Sequence, residues 1–202
     1  MRKNLFVGVM LLLVAVFVVG CAKPPQQEID AAKAGLAAAE QSEAPKYAAD
    51  AWDKAQQADA AVKAELEAQQ AKFALFRSYT KAKQLIADAT AAANAAKEAG
   101  IAGKEKAKNE AQAAIDAVNT ALAGADTAMA ALTNCRRKPK DLKKDLVLMQ
   151  GNLDGYKSQV TELTGKMGRE DFLGAKASAE TLKGQVDAMV TELTTAKTKF
   201  KC

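Results

Sequence analysis

Apolar side chains recur in alternating steps of three and four residues along the last third of the chain. They form two series: Leu142, Leu146, Met149, Leu153, Tyr156, Val160, Leu163 and Met167, then Phe172, Ala175, Ala179, Leu182, Val186, Met189, Leu193, Ala196 and Phe200. This heptad spacing places the apolar residues on one face of a helix. Because only a short glycine-containing break near Gly168 separates the series, residues 135–202 are predicted to form an antiparallel coiled-coil hairpin.

The preceding region has the same spacing with lower contrast, because many of its apolar positions are alanines. It predicts a first helix that stops before Pro45 and a long helix from about Tyr47 to Ala99. The sequence AGIAGK at residues 99–104 is expected to end that helix, as an interhelical turn. A third helix would carry Ala111, Ile115, Val118, Leu122, Ala125, Met129 and Leu132. Its expected partner is the stripe Leu75, Tyr79, Ala82, Ile86, Ala89, Ala93 and Ala96.

The predicted fold class is therefore all-α: an elongated helical bundle of long antiparallel helices with a C-terminal coiled-coil hairpin. Alanine is the best helix former but buries little apolar area, so its helices should be slender and closely packed. Alanine becomes scarce after residue 131. We accordingly predict an alanine-rich helical domain at 28–134 and the hairpin at 135–202.

The N-terminus has the organisation of an export signal. Arg2 and Lys3 precede an apolar run over residues 5–19, which is shorter than the roughly twenty residues of a membrane-spanning helix. Residues 1–20 are therefore predicted to be a signal peptide that is removed from the mature chain.

The end of this run, Val18-Val19-Gly20-Cys21, resembles the lipobox of bacterial lipoproteins. The resemblance implies cleavage between Gly20 and Cys21 and acylation of the Cys21 thiol, followed by a lipidated tether over residues 21–27. Ala22 stands where lipoproteins of the inner membrane typically have Asp, which favours the outer membrane. The alternatives are an ordinary signal peptide with a chance cysteine, or a membrane-spanning helix.

A second resemblance lies in the alanine-rich region, in the stretch AEQSEAPKYAADAWDKAQQADAAVKAELEAQQAKFALFRSYTKAKQLIADATAAANAAKEA at residues 39–99. Its Glu-Ala-Pro-Lys-Tyr-Ala segment, followed by alanines every three or four residues, is similar to the alanine-rich lipoproteins grouped as domain of unknown function number 4398. That resemblance implies a helical lipoprotein of the outer membrane that faces the periplasm, and it brings no catalytic residues.

The composition offers little for catalysis. The chain has no histidine, and its three cysteines are too far apart in sequence for a compact thiolate metal site. The segment EAGIAGKEK departs from a phosphate-binding loop at Glu98 and Glu105. We predict that the protein is not an enzyme, has no cofactor or metal, and shows no evident small-molecule substrate. We also predict no nucleic-acid partner, because the protein is expected to be exported.

A basic cluster is predicted at the base of the hairpin, where the returning helix would bring further lysines. Its members are Arg136, Arg137, Lys138, Lys140, Lys143, Lys144, Lys197, Lys199 and Lys201. The simpler interpretation is a solvated helix end with lysines that favour the helix dipole. The alternative is a contact for an anionic cell-wall polymer or for lipid headgroups.

Cys135 and Cys202 lie at the same predicted end of the hairpin. An exported protein meets an oxidising compartment, where paired thiols usually form disulfides. Two cysteines remain if Cys21 carries lipid, so a Cys135–Cys202 disulfide is predicted, with free or intermolecularly bonded thiols as the alternative.

These features together predict a lipid-anchored protein of the cell envelope that acts as a structural spacer on the periplasmic side of the outer membrane. A helical binding module for an envelope protein complex or cell-wall polymer is the alternative. A membrane-remodelling role is the least supported, because the polar helix faces are not strongly cationic.

Overall fold

The computed structural model describes residues 23–136 and 140–201. Over these ranges the regular structure is helical and no strand is present, which confirms the all-α prediction. In chain order the described helices are α1 (Gln26–Gln41), α2 (Ala44–Tyr47), α3 (Ala49–Gln70), a 3-10 turn (Ala74–Phe76), α4 (Thr80–Thr133), α5 (Lys140–Gly168) and α6 (Phe172–Phe200).

The chain divides into two compact units, residues 1–103 (unit 1) and 104–202 (unit 2). The division falls inside α4, which is continuous across it. The compositional boundary near Cys135 therefore does not coincide with the division into compact units.

Helices α5 and α6 form the predicted hairpin within a single chain. Every position of the α5 series, and the α6 series from Ala179 onward, lies in one apolar cluster of unit 2. Phe172 and Ala175, which open the α6 series, are also buried. The high-contrast heptad pattern thus identified both helices and the faces that they bury.

The turn between α5 and α6 is built from a helix end followed directly by an N-cap. Glu170 has a left-handed backbone, and the Asp171 N–H donates to the Lys166 carbonyl at 3.0 Å. This pattern closes α5 in the manner of a Schellman motif. The Asp171 carboxylate then accepts from the Gly174 N–H at 3.2 Å and caps α6.

The second part of α4 completes the core of unit 2. Ile115, Val118 and Leu122 lie in the same apolar cluster as the hairpin stripes. The prediction that they pack against the stripe from Leu75 to Ala96 was wrong, because residues 80–96 belong to the same continuous helix as Ile115, Val118 and Leu122. The real partners are the two hairpin helices.

Three ion pairs give the register of unit 2. Lys104 Nζ lies 2.6 Å from Glu170, and Lys176 Nζ lies 2.8 Å from Glu110; each pair spans 66 residues. A constant separation indicates that α4 and α6 run parallel. Lys157 and Asp126, 2.7 Å apart, link α4 to the antiparallel helix α5.

Unit 1 packs α1, α3 and the first part of α4 around two small clusters. One cluster joins Ile29 at the start of α1 to Val62 on α3 and Ile86 on α4. The other joins Ala39, near the end of α1, to Ala55 and Ala96. The two clusters thus mark opposite ends of α1.

The predicted break at residues 99–104 was wrong, because α4 passes straight through it. A Cβ atom on Gly100 would lie 2.7 Å from Ser42 Oγ and 3.0 Å from the Ala44 backbone. One on Gly103 would collide with the Tyr47 carbonyl oxygen. The two glycines therefore serve close packing of the α1–α2 connection against α4.

The single long helix predicted from Tyr47 to Ala99 was also wrong. It is divided by residues 71–79, which contain the 3-10 turn and which we call the aromatic loop. The Arg77 guanidinium holds this connection by donating to the carbonyls of Gln70 and Lys72, both at 3.0 Å. Leu75, expected on a buried stripe, is 55% exposed within it.

Gly103→Ala should destabilise the protein, although alanine is intrinsically favoured over glycine in a helix by about 1 kcal/mol. The new methyl group would meet a backbone oxygen that cannot rotate away, and overpacking of this kind costs roughly 1–3 kcal/mol. Gly124→Ala is the matched control on the same helix, since a Cβ atom added at Gly124 would have no neighbour within 4 Å. Urea unfolding should show a loss for the first variant and a small gain for the second; equal gains would contradict the packing role of Gly103.

Candidate functional site

The structure brings the described members of the basic cluster to one end of unit 2. Lys143 and Lys144 lie near the start of α5, and the lysines of α6 lie near its end; because the helices are antiparallel, these positions meet. Six members are exposed: Arg136, Lys143, Lys144, Lys197, Lys199 and Lys201. Arg137 and Lys138 lie outside the described residues, and Lys140 is described only as the first residue of α5.

The helix dipole explains only the α6 members of this cluster. Lys197 and Lys199 occupy the last turn of α6, where positive charge is favourable. Lys143 and Lys144 are the fourth and fifth residues of α5, at its N-terminal end, where the helix dipole does not favour positive charge. The simpler interpretation from the sequence therefore accounts for the α6 lysines alone.

Of the three cysteines, the structure describes Cys135. Gly20, Cys21 and Cys202 lie outside the described residues. Cys135 lies in the connection after α4, and its N–H donates to the Leu132 carbonyl at 3.3 Å. The acylation site and the disulfide both remain predictions.

A polar network that the sequence analysis missed lies at the junction of α3, the aromatic loop and α4. The Gln69 amide donates to Glu65 Oε1 at 2.7 Å, and its own oxygen accepts from the Ser78 N–H at 3.0 Å. Lys81 on α4 lies 2.8 Å from Glu65 Oε2. The network therefore ties the end of α3 to the loop and to the start of α4.

The position of this network in the heptad pattern could have revealed it. The buried side of α3 follows Ala55, Ala58, Val62, Glu65 and Gln69 in steps of three and four. Glu65 and Gln69 are 8% and 6% exposed. Two polar residues on an apolar stripe indicate a buried polar contact, because such groups are costly to bury without partners.

The aromatic loop exposes large apolar side chains. Phe73 and Phe76 are 70% and 75% exposed, and their ring centroids lie 6.4 Å apart in a tilted arrangement. Together with the half-exposed Leu75 they form an apolar tip on a backbone that Arg77 and Gln69 hold in place. No other connection among the described residues exposes two phenylalanines.

The charge of Glu65 is stabilised by its neighbours. The hydrogen bond from the Lys81 ammonium is the largest effect that lowers the pKa of this carboxyl group, and the bond from Gln69 adds to it. Burial acts in the opposite direction. The ionised form is thus the one that fits the network.

Within the described ranges, no group of three or more Cys, Asp or Glu residues is placed to hold a metal ion. None of the described helices combines the length and the hydrophobicity needed to cross a membrane. No protein-family model, curated protein or solved structure matches the chain at a significant level. Function must therefore be argued from the chain's own residues.

Glu65→Gln should destabilise the protein near neutral pH, because it removes the charge that Lys81 and Gln69 stabilise. A carboxyl group with a lowered folded pKa contributes its full stability above its unfolded pKa, ordinarily 4.5, and loses it as the pH falls through the lower folded value. The stability gap between wild type and variant should therefore be constant near pH 7 and shrink below about pH 4.5.

Chemical unfolding of both proteins across this pH range provides the measurement. Glu67→Gln, at an exposed position on the same helix, is the matched control. A gap for Glu65→Gln that stayed constant into strong acid would contradict the role assigned to the Glu65 charge.

Proposed function

We propose that this protein is an acyl-anchored lipoprotein of the bacterial cell envelope, with a structural spacer role on the periplasmic side of the outer membrane. The observation that carries the proposal is the N-terminal pattern of two basic residues, an apolar run and Val18-Val19-Gly20-Cys21. Two or three acyl chains on Cys21 would hold the protein far more firmly than one, since each buried methylene contributes about 0.8 kcal/mol.

The beginning of the folded part is compatible with this anchor. Helix α1 starts at Gln26, and Pro25 before it is buried. The Ile29 N–H donates to the Pro25 carbonyl at 3.1 Å, so the chain is fixed from Pro25 onward. A lipid on Cys21 would thus be separated from an ordered helix by only a few residues.

The spacer role is supported by the kind of helices that the chain forms. Helix α4 contains 54 residues, which at 1.5 Å per residue corresponds to about 80 Å. Its buried face is a narrow stripe matched by stripes on neighbouring helices. Long helices joined along such seams are suited to holding positions apart, and we assign no catalytic role to the chain.

The anchor is tested by Cys21→Ser. Serine lacks the nucleophilic thiol that accepts the diacylglyceryl group, so acylation should be abolished and the precursor should remain uncleaved. Acyl labelling and intact mass of the protein from fractionated cells provide the measurement. Normal acylation and cleavage of the variant would refute the lipoprotein assignment.

We further propose that Cys135 and Cys202 form the predicted disulfide. In both ion pairs between α4 and α6, the α6 partner comes 66 residues later in the chain. The same offset places position 135 level with Lys201, directly before Cys202. The same end is packed by Leu132, Leu142 and Phe200, which belong to one apolar cluster. Closing a loop of nearly seventy residues stabilises a protein by roughly 4 kcal/mol in the chain-entropy model.

Non-reducing peptide mapping of the oxidised protein should recover the Cys135 and Cys202 peptides as one linked species. Reduction should lower thermal stability, and Cys135→Ser should abolish that response to reductant. Recovery of both peptides as separately alkylatable thiols would overturn the disulfide, and a linked dimer would indicate an interchain bond instead.

A second candidate function is a binding module for an anionic cell-wall polymer or an envelope protein. It is favoured by the exposed cations of the basic cluster, whose α5 members are not accounted for by the helix dipole. Electrostatic complementarity would favour an anionic partner at this end of unit 2.

A further inference from the structure

We propose that the aromatic loop is a membrane-docking tip that enters the lipid surface beside the acyl anchor. The inference rests on the proposed acylation of Cys21. It is drawn from three features of unit 1: the exposed side chains of Phe73, Leu75 and Phe76, the charge around them, and the end of the unit at which they lie.

The loop lies at the end of unit 1 from which the tether leaves. Ile29, in the first turn of α1, shares an apolar cluster with Leu66 near the end of α3 and with Leu85 near the start of α4. Lys83 Nζ also lies 4.0 Å from Glu28 Oε1. Because α3 ends and α4 begins beside the start of α1, the loop between them lies at the same end.

The short tether limits how far this end can be from the lipid. Three residues lie between Cys21 and the buried Pro25, so four chain steps join the two positions. A fully extended chain covers at most about 3.6 Å per residue, so the acylated residue lies within about 14 Å of Pro25. Acyl chains that enter a bilayer therefore keep this end of unit 1, which includes the aromatic loop, close to the bilayer.

The charge around the loop suits a lipid surface. Residues 68–87 contain four basic side chains, Lys72, Arg77, Lys81 and Lys83, and no acidic one. Lys81 and Lys83 each pair with a carboxylate from outside this stretch, which leaves Lys72 and Arg77 as the cations next to the rings. Cationic side chains that flank apolar ones are typical of segments that lie in the membrane interface and are attracted to anionic headgroups. Lys72 is exposed beside Phe73, so charge and apolar surface are presented together.

The backbone is held in a form that presents the rings outward. The two bonds from Arg77 to the carbonyls of Gln70 and Lys72 close the end of α3. The bond from the Ser78 N–H to Gln69 fixes the other side of the loop. The tip is therefore ordered before it meets a ligand, and docking need not order it again.

Phe76→Trp in the full acylated protein places a fluorescent reporter at this tip. Phe76 is 75% exposed, so the larger ring should be accommodated, and circular dichroism checks the fold. The protein is reconstituted into phosphatidylethanolamine–phosphatidylglycerol vesicles whose acyl chains are brominated near the glycerol backbone. The emission of the new tryptophan is obtained by subtracting that of the native Trp52. It should be shifted to the blue and strongly quenched by the brominated lipid. Acrylamide in the aqueous phase should quench it little.

Ala49→Trp is the matched control within unit 1. Ala49 is exposed at the start of α3, the opposite end of that helix from the loop. Gln70 is twenty-one residues further along the same helix, a distance of about 30 Å. Its added emission should remain accessible to acrylamide and unaffected by bromine.

Intact mass of the same samples separates failure of the anchor from failure of the docking tip. An acylated Phe76→Trp protein whose added emission matches the Ala49→Trp control would overturn membrane docking and leave the anchor intact. If the protein carries no acyl group, the anchor is refuted. The emission of the Phe76→Trp variant is then measured after brominated vesicles are added to the unacylated protein. Quenching then would sustain docking without the anchor, and its absence would overturn both.

Discussion

The buried stripe of α4 is the constraint on which the rest of the structure depends. It begins with Tyr79, just before the helix, and ends with Leu132, in steps of three and four residues. Each compact unit builds its core against its own part of this stripe, with α1 and α3 in unit 1 and the α5–α6 hairpin in unit 2. The stripe thus determines which faces of the other helices must be apolar.

The two parts of the stripe differ in side-chain size, and their partners differ accordingly. In unit 1 it is mostly alanine, and the extreme case is the pair Gly100 and Gly103, which lie at stripe positions against the backbone of residues 42–47. In unit 2 it carries Val118, Leu122 and Met129, which meet leucines and methionines of the hairpin. Small residues allow close approach and contribute little burial, whereas large ones fill the space between three helices.

The hairpin could be predicted from the sequence because its apolar positions contrast strongly with their neighbours. Gly100 and Gly103 were misread as a turn, since glycine is a common helix terminator and the backbone that excludes a side chain there comes from a distant segment. The clue was that steps of three and four continue through both. The break between α3 and α4 at residues 71–79 could not be predicted from turn residues, because these positions contain neither glycine nor proline. The break depends instead on hydrogen bonds that Arg77 donates and that the Gln69 side chain accepts.

The two ends of unit 1 satisfy different demands. The end at residues 42–48 has a left-handed Glu43 and packs closely against Gly100 and Gly103 of α4, which is all that a tight connection between helices requires. The other end contains a nine-residue loop with exposed phenylalanines, supported by Glu65 and Gln69 at positions where an apolar residue would have served packing better. Buried polar groups and exposed aromatic rings both cost stability relative to the reverse arrangement. Folding alone therefore does not explain this end, whereas the proposed docking to a lipid surface would explain the exposed rings.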